Sequence, residues 1–451
     1  MRFIPVYLLL FLLLPSPAMA DGPTWKAGTA KAVITPEAPM YLAGYGGRDQ
    51  AATGTLHDIW VKVLALEDAE GRRGVIITTD VCGVSRAAFE AVTEEAEKRY
   101  GLDKSQVLLC YSHTHTGPAL RECLQDYCDW NEEERGRILE YSLRLEKTIV
   151  EKIGEALEDL GPATLEATEG RAEFAVNRRE NTEAEVPKMR AEGTPLKGPV
   201  DHDVPILAVK DAGGNLKAIF FGYACHATTL ATTEWSGDFC GFAQIELEKN
   251  HPTATALYNM TCGADINPIP RRDIELCKKY GHELAQGVEK ALAGKMRPVE
   301  PRLRTAFTYV SLDYDAVLTE EQLKEAAKLS HVYDRWARRM IEKLKQGETF
   351  DTSWPYAVQV WRLGESELWI NLAGETVVDY SINLKRQFGP NTVVRGFCHE
   401  LTAYIPSLRI WNEGGYEGGF LGEYGHPAMR WKPDVEQRIT DAVAELVDQV
   451  K

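Results

Sequence analysis

The sequence predicts an α/β fold, mixed β-sheets covered by helices, with a metal site at the strand ends. Three observations carry it: an apolar strand, a helix and an apolar strand over 74 to 111, a second such unit over 366 to 397, and a strand pair between them joined by Asp211-Ala212-Gly213-Gly214. In 74 to 82 (GVIITTDVC) the apolar and β-branched residues run without alternation, as in a strand buried on both faces. Ser85 caps the helix that follows, Phe89, Val92, Ala96 and Tyr100 fall at helical spacing, and Gly101 ends it. The next run, 106 to 111 (QVLLCY), is again apolar and completes a βαβ unit. Ser112-His113-Thr114-His115 then falls at the carboxyl edge, where open α/β sheets build their sites.

Further along, 205 to 210 and 216 to 223 read as a hairpin, and its second strand runs into Cys225-His226. Residues 239 to 250 and 272 to 294 have helical spacing, and 318 to 347 reads as one long, charged amphipathic helical stretch. In the late unit, 366 to 372 (SELWINL) is a strand, 376 to 388 a helix and 392 to 397 (TVVRGF) a strand. Glu375 follows the first of these strands and Tyr404 comes soon after the second. The longest irregular stretch, 178 to 203, holds Pro187, Gly193, Pro195, Gly198 and Pro199; a long loop in a compact domain predicts a lid or site wall rather than a boundary.

The N-terminus carries Arg2, an apolar run from Phe3 to Leu14, and Pro15-Ser16-Pro17-Ala18-Met19-Ala20 with small residues where a signal peptidase reads. Residues 1–20 are therefore expected to be a signal peptide, 21–451 a single catalytic domain, and the protein exported, periplasmic or secreted. No later stretch has the roughly 18 uninterrupted apolar residues of a membrane helix. A composition of 44% hydrophobic and 26% charged residues is globular, and a net charge of −16 excludes nucleic acid as a partner, since phosphate tracking needs a positive surface. The nine cysteines include no CxxC pair, and being odd in number they leave at least one thiol unpaired in a monomer. Cys123 and Cys128 are read either as a local disulfide or as buried free thiols.

His113-Thr114-His115-Thr116-Gly117-Pro118 is the sharpest local signal, because alternate residues on extended backbone point to one side and Gly-Pro then turns the chain away. A metallo-β-lactamase-type site also uses HxH, but it needs Asp and His where this chain has Gly117 and Pro118. Glu375, after Gly374 at a strand end, is either a helix-start charge or a metal ligand. With two histidines it completes a His, His, carboxylate set that binds catalytic zinc and leaves positions open for water. Asp80, Asp238 and Asp265 with the histidines would instead make a phosphoesterase, although these aspartates equally suit turn hydrogen bonds. His57-Asp58 and Asp201-His202-Asp203 are set aside as solvated turns.

His113 to Pro118, Asn177-Arg178, His226-Ala227-Thr228, Ser236-Gly237-Asp238 with Gly241, Gly374-Glu375-Thr376, and Tyr404-Ile405-Pro406 with Gly415-Tyr416-Glu417 together resemble the ordered motifs of the neutral, non-lysosomal ceramidases. Ala27-Gly28-Thr29-Ala30 and Gly44-Tyr45-Gly46-Gly47-Arg48 resemble the family's opening, so the resemblance runs over 25 to 427. It implies one zinc ion per chain on His113, His226, Glu375 and Tyr404. It also implies His115 as the proton-handling residue, Arg178 on the substrate's polar head, and Tyr416 on the developing oxyanion. The implied reaction is attack of zinc-activated water on the amide carbonyl of an N-acyl substrate. Ceramide, cleaved to sphingosine and fatty acid, is the family default, and a lipid substrate implies transient contact with a membrane surface. In Gly263-Ala264-Asp265-Ile266-Asn267-Pro268, Asn267 replaces the family's serine, which excludes a serine nucleophile and leaves Asn267 to orient water or substrate. With few residues after Tyr416, the family's C-terminal immunoglobulin-like domain is not expected in this chain. Two readings stand beside this one: an inactive binding protein with the same fold, and a metal hydrolase of another substrate.

Overall fold

The computed structural model describes residues 24–451; the expected signal peptide lies outside the described residues. The first part supplies β1 (Trp25–Val33), β2 (Gly54–Thr55), β3 (Trp60–Glu67), β4 (Arg73–Thr79), α1 (Arg86–Tyr100), β5 (Val107–Tyr111) and α2 (Glu132–Glu158). The middle supplies β6 (Gly161–Arg171), β7 (Ala175–Asn177), α3 (Val186–Ala191), β8 (Asp203–Asp211), β9 (Leu216–Tyr223), β10 (Glu234–Trp235), α4 (Asp238–Asn250), β11 (Thr255–Met260), β12 (Ile266–Pro268) and α5 (Ile274–Leu292). The last part supplies β13 (Arg297–Val299), β14 (Leu303–Asp313), α6 (Glu320–Ala326), α7 (His331–Lys345), β15 (Ser353–Leu363), β16 (Glu367–Ala373), β17 (Glu375–Thr376), α8 (Val378–Phe388), β18 (Thr392–Cys398), β19 (Tyr404–Ile405), α9 (Leu408–Glu413) and α10 (Val435–Gln449).

Twelve of these strands form a continuous mixed sheet in the order β11-β9-β8-β6-β1-β3-β4-β5-β18-β16-β15-β14, with β13 added beside β6. Both expected βαβ units are present as parallel pairs, β4 with β5 and β16 with β18, and β8 and β9 form the expected antiparallel hairpin. The two parts of the sheet meet where β5 and β18 lie antiparallel, with Cys110 opposite Cys398.

Successive residues of β4 explain why the run is apolar throughout. Val75 and Ile77 enter the larger core under the helices, while Ile76 enters a second core built almost wholly from strand residues. That second core exists because the sheet curls over on itself: Phe220 of β9 meets Trp369 of β16 at 5.6 Å although seven strands separate them. Helices α1, α2, α4, α5, α8 and α10 pack on the outer, larger core.

The stretch 318 to 347 is not one helix. Thr319 caps α6 with a reciprocal Gln322 contact, the chain breaks at Leu329, and Ser330 caps α7 by accepting from the Tyr333 N–H at 3.3 Å. A second capping residue inside a helical pattern was the signal for two elements. All nine cysteines are free and buried, so Cys123 and Cys128 take the second of their two readings.

Candidate metal centre

Each candidate ligand comes from the end of an apolar strand. His113 follows β5, His226 follows β9, Glu375 follows β16 and Tyr404 follows β18. All four are buried, none more than 4% exposed. His113 arrives by an unexpected route: its backbone has φ 56°, in the left-handed region, rather than the extended conformation predicted for HxH. Its ring still meets that of His115, with the two Nε2 atoms 3.2 Å apart. Strain of this kind, held by the surrounding structure, is common where a site demands one side-chain direction.

Glu375 and Tyr404 are placed by a two-stranded parallel ribbon, β17 with β19, in which they sit directly opposite one another. Gly374 makes the ribbon's entry. Its φ is 68°, and an added Cβ would lie 2.7 Å from the Ala403 carbonyl oxygen, so neither the turn nor the close approach tolerates a side chain.

Ligand atoms of His113, His226 and Glu375 all lie within 4.8 Å of one another. Nε2 of His226 is 3.2 Å and Nε2 of His113 3.4 Å from Oε2 of Glu375. The opposite ring atoms fix the tautomers. Nδ1 of His113 donates to the Cys82 carbonyl at 2.5 Å, and Nδ1 of His226 donates to the Gly263 carbonyl at 3.0 Å. Since a carbonyl can only accept, Nδ1 carries the proton of each neutral ring and Nε2 is the nitrogen that faces the carboxylate, which is the arrangement metal-binding histidines adopt. Cys82, His113 and His115 form a second close group, but the Nδ1 edge that His113 turns to the Cys82 sulfur at 3.6 Å is already engaged by the carbonyl.

Electrostatics support the same assignment. Burial, then Arg178, lowers His226 to about 4, and burial followed by His113 and His226 holds His115 well below the usual imidazole range. Burial alone would raise the Glu375 carboxyl, yet His113 and His226 hold it well below the usual carboxylate range. Against burial, Cys82 and Glu375 draw positive charge onto His113. Imidazoles at His226 and His115 that resist protonation, and a buried carboxylate that draws positive charge towards it, fit a divalent cation.

The remaining expected site residues sit beside these. Arg178 donates to Tyr404 Oη at 3.0 Å, to Asn267 Oδ1 at 3.3 Å and to Glu417 Oε1 at 2.8 Å. The Tyr416 ring stands edge-on to Tyr404 at 5.0 Å and turns its hydroxyl to Glu423 at 3.0 Å. All eight residues singled out in the sequence therefore converge on one place. Arg178, Asn267 and Tyr416 line an open cavity of about 560 Å³, one side of which is Arg178 to Glu183, so the start of the irregular stretch is a site wall, while Val186–Ala191 further along it forms helix α3.

The aspartates of the phosphoesterase reading are engaged elsewhere. Asp80 accepts from the Trp60 N–H at 3.0 Å, Asp238 from the Leu230 N–H at 2.8 Å and Asp265 from the Val378 N–H at 2.8 Å. Asp201 is bound to Ser381 and Lys385, while His57 contacts the carbonyl of its neighbour Asp58.

Sequence reasoning missed Tyr424, whose hydroxyl donates to Oε1 of Glu375 at 2.5 Å. Nothing in Gly422-Glu423-Tyr424-Gly425 marks it, since it reaches the site only through the fold. Glu417 had a visible signal, adjacency to Tyr416, but no evident role; it clamps both Arg178 and Arg179.

A family model described as neutral/alkaline non-lysosomal ceramidase, N-terminal, matches residues 25–298. The matched stretch holds His113, His115, Arg178, His226 and Asn267; Glu375, Tyr404 and Tyr416 lie beyond it. The neutral ceramidase of Pseudomonas aeruginosa is 27% identical over 243 residues, 52% of this chain and 35% of that protein. Neutral ceramidase 1 of Arabidopsis thaliana is 25% identical over 277 residues, 60% of this chain and 35% of that protein. The matches thus span about a third of the length of these curated relatives. Among solved structures, the neutral ceramidase from Pseudomonas aeruginosa aligns with a TM-score of 0.72 and 18% identity, covering 94% of this chain and 74% of that one. A ceramidase complexed with C2 gives 0.73 and 17%, covering 95% and 76%. These likenesses show the α/β fold.

Proposed function

From the premise that this chain belongs to the neutral/alkaline non-lysosomal ceramidase family, we propose that it is an exported, zinc-dependent hydrolase of an amide bond in an N-acyl substrate. One observation carries the reading: ligand atoms of two histidines and one carboxylate, all buried, converge within 4.8 Å at the ends of three strands. His113, His226 and Glu375 would hold the ion, with Tyr404 opposite Glu375 as the fourth ligand. A zinc ion held there would polarise an amide carbonyl and make water acidic enough to attack near neutral pH.

The chain's own residues do the rest. His115, which burial keeps well below the usual imidazole range, takes a proton from the attacking water and passes one to the departing amine. Arg178 fixes Tyr404 and Asn267 and presents its guanidinium to the cavity. Tyr416, on releasing Glu423, donates to the oxyanion that forms at the carbonyl. Ceramide is the substrate the family's name points to.

The test is metal content by mass spectrometry, read beside amide cleavage, on the mature protein and on His113→Ala and Glu375→Ala. We expect about one zinc per chain in the wild type, and loss of both metal and activity in either variant. A folded wild type that takes up no added zinc, or variants that keep metal and turnover, would overturn the reading. N-terminal sequencing of the exported protein should find Asp21 first.

A further inference from the structure

The cavity that adjoins the metal centre through Arg178, Asn267 and Tyr416 is walled by ions. Three guanidinium groups, Arg178, Arg179 and Arg271, and four carboxylates, among them Glu183, Glu413 and Glu417, line it, and no aliphatic side chain does. Tyr416, 40% exposed, supplies the one hydrocarbon face, and of the exposed large apolar side chains among the described residues it alone lines this cavity. The apolar cavity lined by Val84, Val92 and Leu145 lies under α1 and α2, holds about 10 Å³, and shares no residue with the site.

The charges are tied to each other. Arg178 pairs with Glu417 at 2.8 Å, Arg179 with Glu417 at 2.6 Å and with Glu413 at 2.9 Å, and Arg271 with Glu183. A hydrocarbon chain laid on such a surface would strip water from paired ions and find no apolar wall in return. A single-sign head group fares no better, because arginines and glutamates nearly balance. What matches is a group that both donates and accepts at each position, and neighbouring hydroxyls do so.

Resting on the amidase reading of the same centre, we infer that the substrate is a small, water-soluble N-acylated amine whose amine half is neutral and rich in hydroxyls, of the N-acyl amino sugar type, with a short acyl group. Arg179 and Glu413 are specificity-determining residues that hold those hydroxyls.

The experiment measures kcat/KM for amine release by the zinc-loaded protein from N-acetyl- and N-butyryl-glucosamine, N-acetylglycine, and a C12 ceramide in detergent micelles. We expect the glucosamine amides to exceed both others by about 10²-fold, since a site built to bond a substrate hydroxyl rejects analogues that lack it. The double variant Arg179→Leu, Glu413→Leu should raise KM for the glucosamine amides about tenfold with kcat little changed, and shift the ratio towards ceramide. A merely structural role would lower all rates together and leave the ratio in place, which would overturn the assignment. Ceramide cleaved as well as the sugars, or N-acetylglycine preferred, overturns the inference and leaves the amidase reading standing. A folded, zinc-loaded protein that cleaves none of them overturns both.

Discussion

Tyr424 shows how a site residue can be invisible in sequence and still govern the chemistry. Its hydroxyl lies 2.5 Å from the carboxylate oxygen of Glu375 that does not face the histidines, so it fixes the rotation of the carboxylate. Tyr424→Phe should weaken zinc binding by about 10- to 100-fold while leaving the fold intact, as loss of an outer hydrogen bond does; competition with a zinc-responsive chelator reads this directly. Tyr416→Phe should do the opposite, keeping metal content and lowering kcat by about 10²- to 10³-fold. If that variant loses its metal, the division of labour between Tyr404 and Tyr416 is wrong. His113, His115, His226 and Glu375 were legible because each stands at the end of an apolar run, where strand geometry delivers side chains. Tyr424 and Glu423 were not, because a turn between short elements carries no periodicity to say which way it faces.

At the scale of elements, the site depends on the short ribbon of β17 and β19. Gly374→Ala should shift Glu375 away from Tyr404, costing about 1 kcal/mol or more in stability and much of the zinc affinity. Denaturant unfolding paired with metal titration separates the two losses. The central parallel strands were readable since both their faces are buried, and Val75, Ile76 and Ile77 all had to be apolar. The long antiparallel pair β14 and β15 was not foreseen. In β14 most residues are only half-buried, and a run such as LRTAFTYVSLD mixes polar and apolar positions too evenly to stand out. The break between α6 and α7 was missed for a different reason: charge and apolar spacing continue across it, and only Ser330 announces a new start.

For the molecule as a whole, the acid side of the stability curve should steepen through His399. Buried between Phe89 and Phe307, with no partner for either ring nitrogen, it is pushed down to about 3 by burial and then by Arg86 and Lys104. The unfolded residue titrates near 6.5, so between those values the unfolded chain binds one proton more than the folded one and stability falls as pH drops, by about 1.4 kcal/mol per pH unit. His399→Asn keeps a residue tolerant of φ 62° and removes the titration. Between pH 7 and pH 5 the variant should lose about 2 kcal/mol less than the wild type, measured by urea unfolding. Equal losses would mean that His399 takes no part.

The meeting of β5 and β18 has a consequence for the order in which the protein is made. His113 and His226 come from strands of the first part of the sheet, whereas Glu375 and Tyr404 come from the last. A growing chain therefore exposes two imidazoles long before the carboxylate that must join them is synthesised. Two neutral nitrogens would hold the proposed zinc ion weakly, and firm retention would wait until the late strands have docked at Cys110 and Cys398. Metal capture would then be the last step of maturation, a chemical record that the newborn chain has been finished and joined.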